Sequence, residues 1–212
     1  MSRTRSTQGR SHKVRQAPLK TSTPRVEVLA DLDTQLMLRV RAGNREAANT
    51  LVRRNFARVS RYISRLVRKT GPVEDLVQDV FVRVWHSSDR YEPTAKFSTW
   101  LYRIATNTAL NYLGRSSAKE IQEPDPEVAN HDIADPSDSA PERDLTLEEM
   151  RERISSAIAS LPVKQRIALT LFEYEELSYE QIAGVLDTSV ESVRSLLKRA
   201  RHLLRDKLSG VL

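Results

Sequence analysis

A chain of 212 residues without a single cysteine has room for one medium domain or two small ones, and it excludes thiolate catalysis, cysteine zinc sites and disulfides. No apolar run reaches the roughly 18 residues a membrane span needs, and the amino-terminal segment carries charge without the hydrophobic core of a signal peptide, so a cytoplasmic protein is expected. The net charge of +6 is unevenly spread: residues 1–30 and 31–115 are strongly basic, while 116–149 hold two bases against eleven acids, so a polyanion is the natural partner for the basic segments and an acidic connector would avoid it.

Residues 1–31 read as a disordered basic tail, because "MSRTRSTQGRSHKVRQAPLKTSTPR" offers almost no large apolar side chain to bury. From Thr34 the spacing turns helical. Leu36, Met37 and Val40 form a short stripe, Gly43-Asn44 breaks it, and Val52, Phe56, Val59, Ile63 and Leu66 recur at three and four until Gly71-Pro72. In "EDLVQDVFVRVW", residues 74–85, Leu76, Val77, Val80 and Val84 build the next stripe. Asp75 and Asp79 share one face of that helix and His86 falls seven beyond Asp79, an arrangement open to a metal site, an acid/base pair or a docking surface. "SSDRYEPTAKFS" is a loop by its Ser, Asp and Pro content, and a helix from about Thr99 to Leu113 follows. On it Trp100, Arg103, Asn107 and Asn111 share a face. A ring, a cation and amides in line suit unpaired bases, and they suit equally a half-buried face whose amides are satisfied.

Residues 116–145 read as a flexible acidic linker, since "AKEIQEPDPEVANHDIADPSDSAPER" combines four prolines and eight acids with no aromatic residue. Beyond it Leu147, Met150, Ile154, Ile158 and Leu161 are helically spaced, Pro162 opens another helix, and Val163, Ile167, Leu171 and Tyr174 continue it. "LSYEQIAGVLDTSVESVRSLLKRARHLLR" then reads as two helices joined by a tight turn. Ile182, Ala183 and Leu186 face inward on the first; Thr188 is the expected N-cap of the second, with Glu191 completing a capping box. Val190, Val193, Leu197, Ala200 and Leu204 make its packing stripe, and Glu191, Arg194, Lys198, Arg201 and Arg205 run on the opposite side. Arg194, Ser195, Lys198 and Arg199 are placed to read base edges in a major groove, the alternative being a solvated basic face. The expected fold is all-α: two small helical bundles, residues 32–115 and 146–212, joined by the linker, the second containing a helix-turn-helix.

Taken together, "EDLVQDVFVRVW", "YEPTAKFSTWLYRIATNTALNYLGR" and "LSYEQIAGVLDTSVESVRSLLKRAR" resemble bacterial RNA polymerase sigma factors of the extracytoplasmic-function group, over about residues 34–115 and 146–208. The basic tail before Asp31 departs from the pattern, being longer than the family core needs. The resemblance implies a promoter-specificity subunit that is not an enzyme, binds core RNA polymerase and uses no cofactor, metal or small-molecule substrate. It implies a polymerase-docking face of Asp75, Gln78, Asp79 and Val82. It places the melted strand of the −10 element on Tyr91, Lys96, Arg103, Asn107 and Asn111, and the −35 duplex on Glu191, Ser192, Arg194, Ser195, Lys198 and Arg199. An anti-sigma factor is a further expected partner. The Ser116–Arg143 segment of 28 residues could stretch to ~90 Å, beyond the roughly 55–60 Å between the two promoter elements. Two other readings stand beside this one: a stand-alone helix-turn-helix regulator, and a nucleic-acid enzyme with a metal on Asp75, Asp79 and His86. The arginines at 54, 58, 61, 65 and 68 form a stripe that fits a solvated face, a polymerase contact or a non-specific DNA contact.

Overall fold

The computed structural model describes residues 25–67, 72–122 and 146–209, and within them every regular element is a helix. In chain order these are α1 (Arg25–Ala30), α2 (Leu32–Arg41), α3 (Arg45–Val67), α4 (Val73–His86), a 3₁₀ turn (Ser88–Arg90), α5 (Phe97–Gln122), α6 (Leu147–Ala159), α7 (Val163–Glu173), α8 (Tyr179–Leu186) and α9 (Val190–Leu208). Helices α2 to α5 form the first bundle and α6 to α9 the second. Residues 1–24 and 123–145, which hold most of the expected basic tail and acidic linker, lie outside the described residues, as do 68–71.

Local chemistry explains where the helices start and stop. The Asp31 carboxylate accepts from the Thr34 backbone N–H and hydroxyl, both at 2.8 Å, which caps α2. The same Thr34 hydroxyl oxygen accepts from Phe97 N–H at 3.1 Å, so one buried threonine ties the start of α2 to the start of α5. Gly43 ends α2 at φ +86°, with Gly43 N–H returning to Val40 C=O and Asn44 N–H to Arg39 C=O, the paired bonds of a Schellman turn. Asn44 then accepts from Ala47 N–H at 2.8 Å and starts α3. Thr146 and Glu149 make a reciprocal capping box on α6, and Ser178 with Gln181 makes another on α8.

The first core gathers Met37, Val59, Tyr62, Ile63, Val77, Val80 and Leu101, and the second Ile167, Leu171, Ile182, Val193 and Ala200. The two bundles are not separate beads: α5 packs against α8 and α3 against α7, so their cores are continuous. Three expectations change. Residues 25–30, read as tail, form a short helix with Val28 fully buried, because one apolar side chain there finds a neighbouring helix to pack on. Helix α5 begins at Phe97 and runs to Gln122, beyond the Thr99–Leu113 span and into the segment read as linker, since nothing between Leu113 and Gln122 is a proline. Phe56, read as part of the packing stripe of α3, is 42% exposed; Leu51, Asn55 and Tyr62 are buried in its stead.

Space around a Cβ at Gly43 is open, so its substitution tests backbone conformation alone. Gly43→Ala is expected to cost about 1–2 kcal/mol, the left-handed penalty of an L side chain, read as a lower urea midpoint with an unchanged slope.

Candidate functional site

Helix α4 has two working faces. Leu76, Val77, Val80, Phe81 and Val84 are buried, while Asp75, Gln78 and Val82 are exposed and Asp79 is half-exposed beside Arg83, with which it pairs at 2.9 Å. Next to this edge an open groove of about 650 Å³ lies between α3 and α4, lined by Arg45, Ala48, Asn49, Val52 and Phe56 on one side and Gln78, Phe81, Val82, Trp85 and His86 on the other. Phe56 stacks on Phe81 with ring centroids 6.4 Å apart. Val82 and Trp85 stay 51% and 43% exposed. All four docking residues expected on α4 are therefore accessible, and Phe56 and Trp85 join them, with Phe81 buried beneath Phe56. The missed signal was quantity: "EDLVQDVFVRVW" carries more large apolar side chains than one packing stripe can use. His86 lines the far end of the groove, and among the described residues no three His, Cys, Asp or Glu side chains gather as metal ligands.

Helix α5 is the central helix, enclosed by α2, α3, α4 and α8. Of the residues expected to read a single strand, Asn107 and Asn111 lie on its exposed strip and Lys96 is half-exposed at its start. Tyr91 and Arg103 do not. Tyr91 is 1% exposed, edge-on to Phe97 and Trp100 at 6.2 and 5.1 Å, and burial pushes its phenol up to about 12. Arg103 is 8% exposed, as is Trp100. The four residues that share a helical face therefore divide into a buried pair and an exposed pair, because packing at the amino-terminal half of α5 is closed on all sides.

The helix-turn-helix is formed by α8, a three-residue turn and α9. Asp187 takes the left-handed conformation at φ 51°, and Thr188 N–H bonds back to Ala183 C=O at 3.0 Å. The N-cap of α9 is Ser189, whose hydroxyl accepts from Ser192 N–H at 3.1 Å, one residue later than the Thr188 cap expected. Thr188 closes α8 through its backbone N–H, and the hydroxyl that opens α9 is that of Ser189. Glu191 is thereby released from a capping box and stands in the first turn of α9. Glu191, Ser192, Arg194, Ser195, Lys198 and Arg199 are all exposed, while Val193, Leu197 and Ala200 are buried against α7 and α8. Arg201 differs from its neighbours: it pairs with Glu173 at 3.2 Å and covers the Phe172 ring at 5.1 Å.

Comparison with known proteins places both bundles. Residues 51–119 match the Sigma-70 region 2 family and residues 151–204 the Sigma-70 region 4 family. The ECF RNA polymerase sigma-E factor of Escherichia coli strain K12 is 37% identical over 184 residues, spanning 85% of this chain and 96% of that protein. The chain belongs to the extracytoplasmic-function sigma factors. The sigma-E factor of Haemophilus influenzae is 36% identical over 186 residues, again 85% of this chain and 97% of the relative. The solved structure of CnrH in complex with the cytosolic domain of CnrY has the same fold, with a TM-score of 0.63 at 26% identity over 85% of this chain and 99% of that one. As a sigma factor the protein binds core RNA polymerase and directs promoter recognition in transcription initiation. Region 2 spanning most of the first bundle sets aside the stand-alone regulator, which has no need of it.

The shift of the cap is directly testable. Ser189→Ala is expected to destabilise by about 1 kcal/mol in urea denaturation, whereas Thr188→Ala, which removes no cap, should move the midpoint far less.

Proposed function

We propose a division of labour among three surfaces of this sigma factor. The Asp75, Gln78, Asp79 and Val82 edge of α4, together with the Phe56, Val82 and Trp85 groove, docks on core polymerase; Lys96, Asn107 and Asn111 meet the melted −10 strand; and the exposed face of α9 reads the −35 duplex. The observation that carries the docking assignment is the open apolar groove beside an acidic edge. Large apolar side chains left exposed side by side and rimmed by polar groups mark a protein interface, since water contact with them is unfavourable until a partner covers them.

The protein performs no catalytic step of its own in this reading. Its work is to place DNA and to hold a separated strand. No helix among the described residues is long and apolar enough to cross a membrane, and its partners, polymerase and promoter DNA, put its site of action in the cytoplasm. An anti-sigma factor fits the same family role, and CnrH was solved with the cytosolic domain of another protein on it. In this reading residues 32–115 serve polymerase and the −10 element and residues 146–212 the −35 element.

Run-off transcription with core polymerase, with and without this protein, tests the reading as a whole. At the docking face, Asp79→Arg breaks only an ion pair whose partners are 49% and 43% exposed, so the fold should survive while core binding weakens. Val82→Asp should weaken it further by charging the groove. Core binding of normal affinity in both variants would remove this face from the interface.

At the DNA faces, Arg194→Ala or Lys198→Ala is expected to cost roughly 1–3 kcal/mol of −35 duplex affinity if the side chain bonds a base, with relaxed preference at one position. Asn107→Ala should leave that duplex affinity intact and lower permanganate reactivity of −10 thymines, because an amide can hold a flipped base only after the strands part. Unchanged opening would leave Asn107 an exposed helix residue without a reading role.

A further inference from the structure

The chain between the 3₁₀ turn and α5 is fastened at both ends to α2. At its entry Tyr91 is buried, with its ring edge-on to Trp100, its N–H bonded to Ser88 C=O at 3.1 Å and its C=O accepting from Arg41 Nη1 at 3.0 Å. At its exit Phe97 N–H donates to the Thr34 hydroxyl oxygen at 3.1 Å, and Thr34 in turn donates to the Asp31 carboxylate. Arg41 and Thr34 stand seven apart, two turns of α2 and about 10 Å along its axis, whereas the six residue steps from Tyr91 to Phe97 can span roughly 20 Å. The chain between has slack and bows outward: Glu92 and Thr94 are exposed, Pro93 and Lys96 half-exposed, and Ala95 is buried. Thr94 N–H bonds to Glu92 C=O at 2.8 Å and tightens the bow. Leu36, Met37 and Val40 supply the share of the core that α2 owes, and Arg41 is exposed, yet its guanidinium is committed to a main-chain carbonyl of this neighbouring loop. A bond from a charged donor is stronger than one between neutral groups.

We propose that Arg41 is a positioning residue for promoter recognition: it touches no base, and it holds the Glu92–Lys96 bow in a fixed place at the start of α5 so that the melted −10 strand is discriminated base by base. The proposal rests on the reading that Lys96, Asn107 and Asn111 meet that strand. Lys96 is the last residue of the bow, α5 begins at the next position, and Thr99 N–H bonds to Lys96 C=O at 3.0 Å. Wherever the bow is held, Lys96 is therefore held relative to the helix that carries Asn107. A lysine on a loose loop can neutralise a phosphate from many positions, but telling one base from another needs donors and acceptors fixed to within about 0.5 Å. Order established in advance also spares the complex the cost of ordering the loop on binding. The two anchors differ in kind. Thr34 is fully buried and belongs to the cap of α2, so it serves the fold; Arg41 works from the surface, so its loss frees the entry of the bow and leaves the core in place.

The cysteine-free chain permits a direct measurement of loop order. Glu92→Cys, at the exposed bow, carries a nitroxide whose mobility is read by electron paramagnetic resonance. Adding Arg41→Ala should raise that mobility, and Arg41→Lys, which can still donate to the Tyr91 carbonyl, should restore much of the order; equal spectra in all three would overturn the proposal. Selectivity is read on the unlabelled full chain bound to core polymerase. From a pool of single-stranded DNA randomised over the −10 element, the strand that the wild-type complex retains best is taken as the probe, together with its single-base variants. Arg41→Ala should lower the ratio of probe to variant affinity roughly five- to tenfold, with Arg41→Lys near wild type and with core affinity and the urea midpoint nearly unchanged. A uniform loss on all strands with a flatter salt dependence would make Arg41 a phosphate contact and overturn the proposal, as would a wild-type ratio. Lys96→Ala and Asn107→Ala separate this claim from the one beneath it. If they lower strand selectivity and Arg41→Ala does not, only the positioning role fails; if they leave it unchanged, the −10 face itself fails and the positioning role with it.

Discussion

A carboxylate that folds out of water has to find its hydrogen bonds before it can stay there, and Glu175 finds them in the opposite bundle. Arg58 Nε and the Tyr102 hydroxyl both donate to the same oxygen of its carboxylate, Arg58 Nη2 donates to its carbonyl, and the Arg58 guanidinium lies 5.2 Å from the Tyr102 ring centre. Burial by itself would lower the Arg58 pKa, but Tyr102 and Glu175 outweigh it and raise it, so the cation is retained. Burial also holds the phenols of Tyr102 and Tyr62 above their ordinary range, keeping both protonated. Tyr62 stacks edge-on against Tyr102 at 5.0 Å and shares a 2.6 Å hydrogen bond with Thr106. Tyr102 of α5 and Arg58 of α3 thus both hold Glu175, the residue of the second bundle that lies between α7 and α8.

That arrangement accounts for an asymmetry between the DNA faces. Helix α9 packs one stripe against its own bundle and leaves the opposite face open, so every residue expected to read a duplex is exposed. Helix α5 is packed from several sides, and it presents only Asn107 and Asn111 with a half-exposed Lys96. Arg194 and Arg201, seven apart on α9, show how finely this is divided: one stands in the open, the other is held by Glu173 over Phe172.

The groove between α3 and α4 follows from how a four-helix arrangement consumes apolar surface. Each helix buries one stripe, and α4 has enough large side chains for two, so Val82 and Trp85 are left outside with Phe56. A monomer that keeps such a surface uncovered gains nothing from it in isolation. Asp75 adjoins the groove, Asp79 beside it pairs with Arg83, and Arg45 lines the opposite side, so the rim carries charges of both signs.

The spacing of apolar residues in the sequence already determined the helical class, the break at Gly43-Asn44, the two bundles and the amphipathic division of α9. These depend on contacts within a few residues, on backbone angles and on a period of three to four. The motif strings around 74–85, 91–115 and 177–201 carried the family as well. What periodicity could not decide was which neighbour covers a face. Phe56 and Val59 look alike in a stripe, yet Val59 is buried in the core while Phe56 lines the open groove between α3 and α4. Arg54, Arg58 and Arg65 look like one stripe and serve three different partners. Spacing alone did not tell Thr188 from Ser189 as the cap of α9, which is Ser189. Tyr91 and Arg103 were legible as a nucleic-acid face only while their burial was unknown. Glu175 gave no local signal at all: its partners lie 73 and 117 positions away in the chain, and only tertiary packing brings a charge and its counter-charge across that distance.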